Sequence, residues 1–331
     1  MNAGQTAGED VLAWLRAHPR VLLTAHERPD GDAFGTLFGL QAALAGLGRE
    51  AAVYIRGSVP RKYERLLPSN AKVWQGPGQD DDSFDGVVCL DVTEEARVDL
   101  PDDTRLEQIS DSICVVDHHP DNQRFGAVNW IGPDMAATAQ MVAMMWRTSG
   151  QPICPPAATA LLTGLVADTG GFRFQNTTPD ALKTAAWLVE SGADYRGIMD
   201  ALFMSEPRAR RVLEARLLEH AVFCFNDSLV YSVLTDELLD EIGVDKEDTE
   251  GLIDTLKVIE GVDVACLLQP GDGRVRVSMR SRRGEFPVNE LAHVLGGGGH
   301  PLAAGAWIEN ATLSEAVETL LTTTQRMFYD G

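Results

Sequence analysis

A histidine and two aspartates follow directly after an apolar run near the N-terminus. The stretch VLLTAHERPDGD begins at Val21 and places His26, Asp30 and Asp32 after five residues typical of a buried strand. The proline and glycine around the aspartates predict a turn. Ligands of open α/β sheets collect at the carboxyl ends of strands, so these side chains could form a solvent-facing metal site. A solvated loop would explain the same three residues.

Two further strand patterns end in ionisable residues. The run DGVVCLDV delivers Asp91 at its carboxyl end, and SICVVDHH ends in Asp117, His118 and His119. Polar residues often begin where strands end, and that explains any one case. That tendency explains less well why the ionisable residues after all three strands are aspartates and histidines. Three parallel strands would bring these residues to one edge of a sheet.

A fifth acidic position stands in LLTGLVADTGGFRF, where an apolar helical pattern ends at Asp168. A carboxylate at a helix C-terminus is disfavoured by the helix dipole, which indicates a compensating positive charge. An ordinary glycine C-cap is the alternative interpretation.

Several carboxylates share a small cavity only if cations neutralise them, because like charges raise one another's pKa. The mixed oxygen and imidazole set suits manganese or a similar divalent ion better than structural zinc. Two ions about 3.5–4 Å apart would form the arrangement used for phosphoryl hydrolysis. The five cysteines are far apart and lie mostly in apolar runs, which predicts reduced core thiols.

The alternation of strand and helix patterns predicts an α/β fold with a mostly parallel sheet in the first half. Predicted strands are 21–25, 51–55, 86–90 and 113–116, predicted helices are 9–17, 34–47 and 135–147, and 75–83 is predicted to be a loop. The pattern is helical from 156 to 219 and strand-rich from 221. We therefore expect a catalytic domain over 1–190, a helical linker over 191–220 and a smaller α/β domain over 221–331.

The C-terminal part carries two candidate phosphate-binding features. Four glycines at 296–299, followed by His300, could expose amide donors to a ligand, although such runs are often only flexible turns. The run RVRVSMRSRR concentrates arginines in a very acidic chain, and strand alternation predicts that four of them share one face: Arg274, Arg276, Arg280 and Arg282. That face is either solvated or recognises phosphate through guanidinium groups.

A formal net charge of −21 argues against a protein that coats duplex DNA, which needs many basic contacts to phosphate. The sequence contains no apolar run of the length that a membrane-spanning helix needs and no secretory signal pattern. We therefore expect a cytoplasmic protein that binds neither duplex DNA nor membranes. The sequence leaves open whether it forms a homodimer.

The motifs HERPDGD, LDV, VVDHH and VADTGGF, in this order, resemble those of the DHH phosphoesterase superfamily. The later VSMRSR and HVLGGGGHPLAAGA are similar to its associated C-terminal substrate-binding domain. The resemblance spans residues 21–306. It implies a hydrolase with two divalent ions, Mn²⁺ first and Mg²⁺ or Co²⁺ as alternatives.

The resemblance also implies residue roles. One ion would be held by His26, Asp30 and Asp91, and the other by Asp32, Asp91, His118 and Asp168, with in-line attack by a bridging water. Asp117 would orient a ligand histidine, and His119 would contact the scissile phosphate. The implied substrate-binding residues are Arg280, Ser281, Arg282, Gly298, Gly299 and His300.

Length and two-domain layout are most similar to the nanoRNase group of oligoribonucleases and pAp phosphatases. The implied substrates are RNAs of a few nucleotides, other short single-stranded oligonucleotides, linear dinucleotides and pAp. A cyclic di-AMP phosphodiesterase and a single-strand exonuclease are the enzymatic alternatives, with an inorganic pyrophosphatase ranked lower. A nucleotide sensor and a metal-independent interaction protein are the non-enzymatic ones.

Overall fold

Apolar runs in the first half of the chain form a parallel sheet in the computed structural model, which describes residues 3–78, 83–244, 249, 251–271 and 273–329. The strands are β1 (Arg20–Thr24), β2 (Glu50–Val53), β3 (Gly86–Leu90), β4 (Ile113–Asp117) and β5 (Val128–Ile131). Their order is β2-β1-β3-β4-β5, and all neighbouring pairs are parallel. The α/β fold class is confirmed. Sequence analysis did not predict β5, because Asn129 interrupts its apolar run.

Helices cover the sheet because successive strand residues point to opposite faces and both faces are buried. The helices of this half are α1 (Ala3–Ala17), α2 (Gly31–Ala45), α3 (Arg61–Glu64), α4 (Leu106–Ile109), α5 (Thr138–Ser149), α6 (Pro155–Asp168), α7 (Pro179–Glu190) and α8 (Tyr195–Met199). Leu23 and Val88 pack into the core that includes α2, α5 and α6. Leu22 and Val87 pack on the other face with Trp74 and other side chains.

Two helices that frame the candidate site differ from the sequence prediction at their N-termini. Helix α2 begins at Gly31 rather than near 34, so Asp32 lies in its first turn and Asp30 is its N-cap. The Asp30 carboxylate accepts hydrogen bonds from the first backbone amides of the helix, so the helix begins closer to the preceding strand. Helix α5 begins at Thr138 rather than 135. In the predicted loop 75–83, residues 79–82 lie outside the described residues.

The close packing of α2 on α6 requires a glycine at position 35. A Cβ atom added to Gly35 would lie 2.5 Å from the Ala160 carbonyl oxygen and 2.5 Å from the Gly164 nitrogen, both backbone atoms. We expect Gly35→Ala to lower the free energy of unfolding by about 2–3 kcal/mol, since overpacking forces the helices apart. Urea unfolding measures this.

Gly46→Ala is the matched control, because Gly46 ends the same helix with a φ of −61° that alanine adopts readily. We expect a change within about 0.5 kcal/mol. Equal effects of both substitutions would contradict the packing argument.

The second half of the chain forms a mixed sheet of six strands. They are β6 (Val222–Cys224), β7 (Leu229–Val233), β8 (Val264–Gly271), β9 (Arg274–Ser281), β10 (Gly298–His300) and β11 (Ala303–Glu309), in the order β10-β11-β9-β8-β7-β6. The β7–β8 pair is parallel and the other described pairs are antiparallel.

Two groups of helices pack on this second sheet. They are α9 (Arg208–Glu219), α10 (Asp236–Ile242), α11 (Asp254–Lys257), α12 (Val288–Val294) and α13 (Leu313–Phe328). Leu291 and Leu320 of the last two helices pack in one core with Val277 of β9. On the other face, helices α9 to α11 share a core with residues of β7 and β8, including Leu267.

The chain divides into two compact units, Met1–Ser205 and Glu206–Gly331. The segment expected as a linker, 191–220, is shared between them. Its helix α9 contributes Leu213 and Leu217 to a core of the second unit. Among the described residues, no helix is both long and apolar enough to cross a membrane.

Candidate metal centre

Six side chains meet at the carboxyl edge of the parallel sheet. His26 follows β1, Asp91 follows β3, and His118 follows β4, while Asp30 and Asp32 come from the start of α2 and Asp168 from the end of α6. Three groups each have ligand atoms within 4.8 Å of one another: His26, Asp30 and Asp91; Asp32, His118 and Asp168; and Asp91, His118 and His119. The topology thus brings together every residue of the predicted metal set.

Asp32 is fixed by the N-terminus of α5. Its Oδ2 accepts the Thr138 amide at 2.6 Å, and its Oδ1 accepts the Ala139 amide at 3.0 Å and the Thr36 hydroxyl at 3.2 Å. Burial, followed by the charge of Asp30, raises the pKa of Asp32 to about 7 despite these donors.

Asp91 lies at the centre of the group and is 3% exposed. Its φ of 55° places it in the left-handed region and turns the chain sharply after β3. Its carboxylate oxygens lie 3.8 Å from Nε2 of both His26 and His118, and Oδ1 accepts the Thr138 hydroxyl at 3.0 Å. Burial, followed by the charge of Asp32, raises the pKa of Asp91 well above its usual value.

Asp117 is fully buried and binds His119 rather than His118. Its Oδ1 accepts hydrogen bonds from Nδ1 of His119 at 2.7 Å and from the backbone amide of His119 at 3.2 Å. Its Oδ2 accepts a hydrogen bond from Nδ2 of Asn122 at 2.7 Å. Burial raises the pKa of Asp117, but the hydrogen bonds from His119 and Asn122 outweigh it and lower the pKa. Asp117 therefore orients His119, which belongs with Asp91 and His118 to one of the three groups. That Asp117 orients a metal-ligand histidine stays a prediction.

His118 is oriented by a backbone carbonyl instead. Its Nδ1 donates to the Met135 oxygen at 3.3 Å, which leaves Nε2 at 3.7 Å from Oδ2 of Asp168. Burial and the neighbouring His119 lower the pKa of His118 to about 4, so its imidazole is neutral at pH 7. A neutral ring with Nε2 directed at carboxylates is the state that a metal ligand requires.

Asp168 is positioned by Asn176. Asn176 Nδ2 donates to the Asp168 backbone oxygen at 3.1 Å and to the Ala136 oxygen at 3.0 Å, and lies 3.4 Å from Oδ2 of Asp168. Burial, followed by the charge of Asp32, raises the pKa of Asp168 to about 8. No described lysine or arginine side chain forms an ion pair with this carboxylate.

These side chains fit divalent metal ions. His26 and His118 each direct Nε2 at the Asp91 carboxylate, at 3.8 Å, so two imidazole nitrogens face the same buried carboxylate. Three carboxylates with raised pKa values share the same small volume. The oxygen and imidazole donors suit Mn²⁺ and related ions.

Sequence reasoning missed the residues that position this set. Thr138, Asn122 and Asn176 all bind a carboxylate of the centre. Asn122 and Asn176 follow the VVDHH and VADTGGF motifs within a few residues. That proximity could have indicated that they bind the carboxylates of these motifs. Thr138 was hidden because the predicted helix began too early.

We expect Asn122→Ala to lower kcat about 10–100-fold, because residues that orient active-site groups typically contribute this much. The substitution removes one donor to Asp117 and leaves the Val92 carbonyl without its 2.8 Å partner. Steady-state kinetics with an added divalent ion measure it. The control is Asn129→Ala, which removes only bonds to Gly126; equal losses in both variants would contradict a specific role for Asn122.

Of the four arginines predicted to share one face, Arg274, Arg276 and Arg280 do so on β9, whereas Ser281 does not lie on that face. Arg280 is half-buried on β9, whereas Ser281 is buried on the opposite face and its hydroxyl donates to the Arg283 carbonyl. Arg282 follows the end of the strand and is exposed, with Nη1 at 3.4 Å from the Ile259 oxygen. The Ser281 hydroxyl is therefore directed away from Arg280.

The glycine run is part of a strand rather than a free loop. Gly298 and Gly299 belong to β10, which pairs with β11, and His300 is exposed at its end. A Cβ atom on Gly297 would lie 2.1 Å from the Gly305 oxygen, and one on Gly299 would lie 2.6 Å from the Ala303 oxygen. Close strand packing therefore accounts for two of the four glycines.

Comparisons with known proteins agree with this arrangement. The model of the DHH family, N-terminal domain, matches residues 20–165, and the DHHA1 domain model matches residues 226–329. The chain is 35% identical over 302 residues to the bifunctional oligoribonuclease and PAP phosphatase NrnA of Thermus thermophilus, which covers 91% of this chain and 88% of the relative. The Bacillus subtilis NrnA is 26% identical over 94% of this chain and 97% of its own length.

More distant proteins share the fold. The cyclic-di-AMP phosphodiesterase GdpP of Geobacillus thermodenitrificans is 27% identical over 91% of this chain, which spans 46% of that protein. The crystal structure of an exopolyphosphatase-related protein from Bacteroides fragilis superposes with a TM-score of 0.88 at 23% identity, over 97% of this chain and 96% of that one. With these matches, the chain belongs to the DHH family, and its C-terminal part is a DHHA1 domain.

Proposed function

We propose that this protein is a metal-dependent phosphoesterase that hydrolyses short oligoribonucleotides and linear dinucleotides to mononucleotides, and pAp to AMP and phosphate. Two divalent ions are its cofactors, Mn²⁺ in the first place, with Mg²⁺ and Co²⁺ as alternatives. The observation that carries the proposal is the convergence of four aspartates and two histidines at one sheet edge. The names of two relatives that cover most of the chain point to the substrates.

The proposed ligand sets follow two of the three groups of side chains, with Asp91 added to the second. One ion would be held by His26, Asp30 and Asp91, and the second by Asp32, Asp91, His118 and Asp168. When bound, the ions would supply Lewis-acid activation of water and of the phosphoryl group. The chain's own contribution is to fix the carboxylates before binding, through the α5 amides on Asp32 and the Thr138 hydroxyl on Asp91.

His119 would act on the substrate directly. Asp117 accepts the Nδ1 proton at 2.7 Å, and Nε2 of His119 would meet a phosphoryl oxygen. Burial lowers the pKa of His119, but the Asp117 carboxylate outweighs it and raises the pKa. The ring can therefore carry a second proton, at Nε2, and donate it to the negative charge that develops in the transition state.

The second unit would bind nucleotide phosphate. Arg280 and Arg282 can donate paired hydrogen bonds to phosphate, and His300 with the Gly298 and Gly299 backbone adds donors on the edge strand β10, which β11 separates from β9. The chain carries a net charge of −21, so this is a local basic site rather than a general field that binds duplex DNA.

A timed chromatographic product analysis tests the function. Wild-type protein with Mn²⁺ receives pAp, pApA, a five-nucleotide RNA, a long single strand and cyclic di-AMP in parallel, and an Asp91→Ala variant serves as the control. We expect mononucleotides from pApA and short RNA, phosphate from pAp, and little action on the long strand. The GdpP likeness makes the cyclic dinucleotide the second candidate substrate.

Preference for cyclic di-AMP would replace the proposed substrates with a signalling nucleotide. Preference for the long strand would contradict the restriction to short chains. Hydrolysis of none of the five substrates by Mn²⁺-bound protein would contradict an enzymatic function and favour a nucleotide sensor.

A further inference from the structure

On one face of the second sheet, α11 contacts β9, but among the described residues the side chains of β9 and β11 on that face belong to neither hydrophobic core. The residues of these strands that point to α12 and α13, such as Val277 and Ala306, are buried in the core. Residues of the opposite face, which we call the β9–β11 face, do not belong to the core that α9 to α11 share with β7 and β8. This face consists of Arg274, Arg276, Ser278 and Arg280 from β9, with Ala303, Gly305, Trp307 and Glu309 from β11.

The β9–β11 face combines an exposed aromatic ring with cationic groups. Trp307 is 42% exposed and lies directly opposite Arg276 in the strand pairing. Arg276 is exposed and makes no ion pair within the described part of the chain. Arg274 places its guanidinium carbon 4.1 Å from the centre of the indole and binds Glu309 at 3.5 Å, so it holds the ring in place.

Small residues separate the ring from Arg280. Ser278 pairs with Gly305, and Arg280 pairs with Ala303. The face therefore runs from the Trp307 and Arg276 pair, across a shallow stretch without large side chains, to Arg280. At about 3.3 Å per residue, the four residue steps from Arg276 to Arg280 span about 13 Å, which is too far for the base and phosphate of one nucleotide to contact both ends.

We propose that the β9–β11 face binds the single strand of an RNA substrate beyond the nucleotide held at Arg280, with Trp307 stacking one base and Arg276 contacting a phosphate. This inference rests on the proposed function and extends it to the length of the substrate. Charge argues for this occupant, because three arginines on one face of a chain of net charge −21 are complementary to a polyanion. Stacking on an aromatic ring beside arginines is how proteins bind single strands without reading sequence.

Equilibrium binding tests the inference independently of catalysis. The probe is a fluorescein-labelled five-nucleotide RNA with phosphorothioate linkages, followed by anisotropy with Mn²⁺ present, and pAp competes for the one-nucleotide site. We expect Trp307→Ala to raise the Kd of the five-nucleotide probe about tenfold and to change the Kd of pAp much less, because pAp has one base. Trp307→Phe should recover most of the affinity.

Phe223→Ala is the matched control, since Phe223 is also 42% exposed but lies on β6, at the other edge of the same sheet. It should leave the Kd of the probe unchanged within about twofold. A set of probes that each lack one base locates the contact. In the wild type, removal of one particular base should raise Kd about tenfold, whereas in Trp307→Ala the same removal should add nothing.

Three results would overturn the inference. Equal loss of pAp and RNA affinity would place the ring in the first nucleotide site, and unchanged RNA affinity would remove it from binding altogether. Dissociation of a dimer by Trp307→Ala, measured by light scattering, would assign the face to a second copy of the chain. Failure of the proposed function is distinct, because it would appear as absence of cleavage by the wild type on unmodified RNA and pAp.

Discussion

Asp91→Asn should abolish hydrolysis and at the same time stabilise the metal-free protein. We expect kcat/KM for pAp and short RNA to fall at least about 10³-fold, more than the 10–100-fold that loss of an orienting residue costs. The metal-free protein should melt about 5 °C higher, because an amide replaces a carboxylate buried among like charges. Kinetics and thermal unfolding measure the two effects.

The substitution suits the backbone, since asparagine adopts the left-handed conformation that Asp91 has at φ 55°. Its amide oxygen can still accept the Thr138 hydroxyl. Asp111→Asn is the control, because it removes one exposed carboxylate that precedes β4, at the opposite end of the strand from the centre, and should change neither property. Lower stability of metal-free Asp91→Asn would contradict the interpretation that the buried Asp91 carboxylate lowers the free energy of unfolding when no cation is bound.

The stability of the metal-free protein should fall as pH rises from 5 to 8. In the fold the pKa is about 7 for Asp32 and about 8 for Asp168, against about 3.9 for aspartate in an unfolded chain. Between those values the native state holds protons that the unfolded chain has released. The free energy of unfolding therefore decreases with pH, and we expect a loss of at least about 2 kcal/mol across this range.

Mn²⁺ should reverse this trend, because bound cations keep the carboxylates ionised and their binding releases protons. Urea unfolding of chelator-treated protein at several pH values, with and without Mn²⁺, gives both slopes. Calorimetric titration in two buffers of different ionisation enthalpy counts the protons released. Metal-free protein that grows more stable from pH 5 to 8, or Mn²⁺ binding without proton release, would contradict the proposed clustering of charge.

Most strands of the parallel sheet were predictable from the sequence. Each is an apolar run of about five residues bounded by polar ones, and such a run is recognised from local composition alone. Strand β3 matches the predicted 86–90, and β1, β2 and β4 differ by one or two residues at their ends. Strand β5 was missed because its pairing with β4, and not its own composition, makes it a strand. The early start of α2 follows from the Asp30 cap, which the turn signals of the neighbouring proline and glycine concealed.

The proposed metal set was predictable because each member follows a strand or lies at a helix terminus, where topology brings residues together. The orientation of the two adjacent histidines was not. Whether His118 or His119 binds Asp117 depends on the Met135 carbonyl, which is distant in the sequence and accepts from His118. The glycine run likewise reads as a loop until its close packing against β11 is visible.

Anomalous diffraction from crystals grown with Mn²⁺ tests the central claim most directly, namely that these carboxylates and histidines hold two metal ions for phosphoester hydrolysis. We predict two manganese peaks about 3.5–4 Å apart. Asp91 should contact both, His26 and Asp30 one of them, and Asp32, His118 and Asp168 the other. A single peak, or peaks away from Asp91, in protein that hydrolyses pAp would contradict the account.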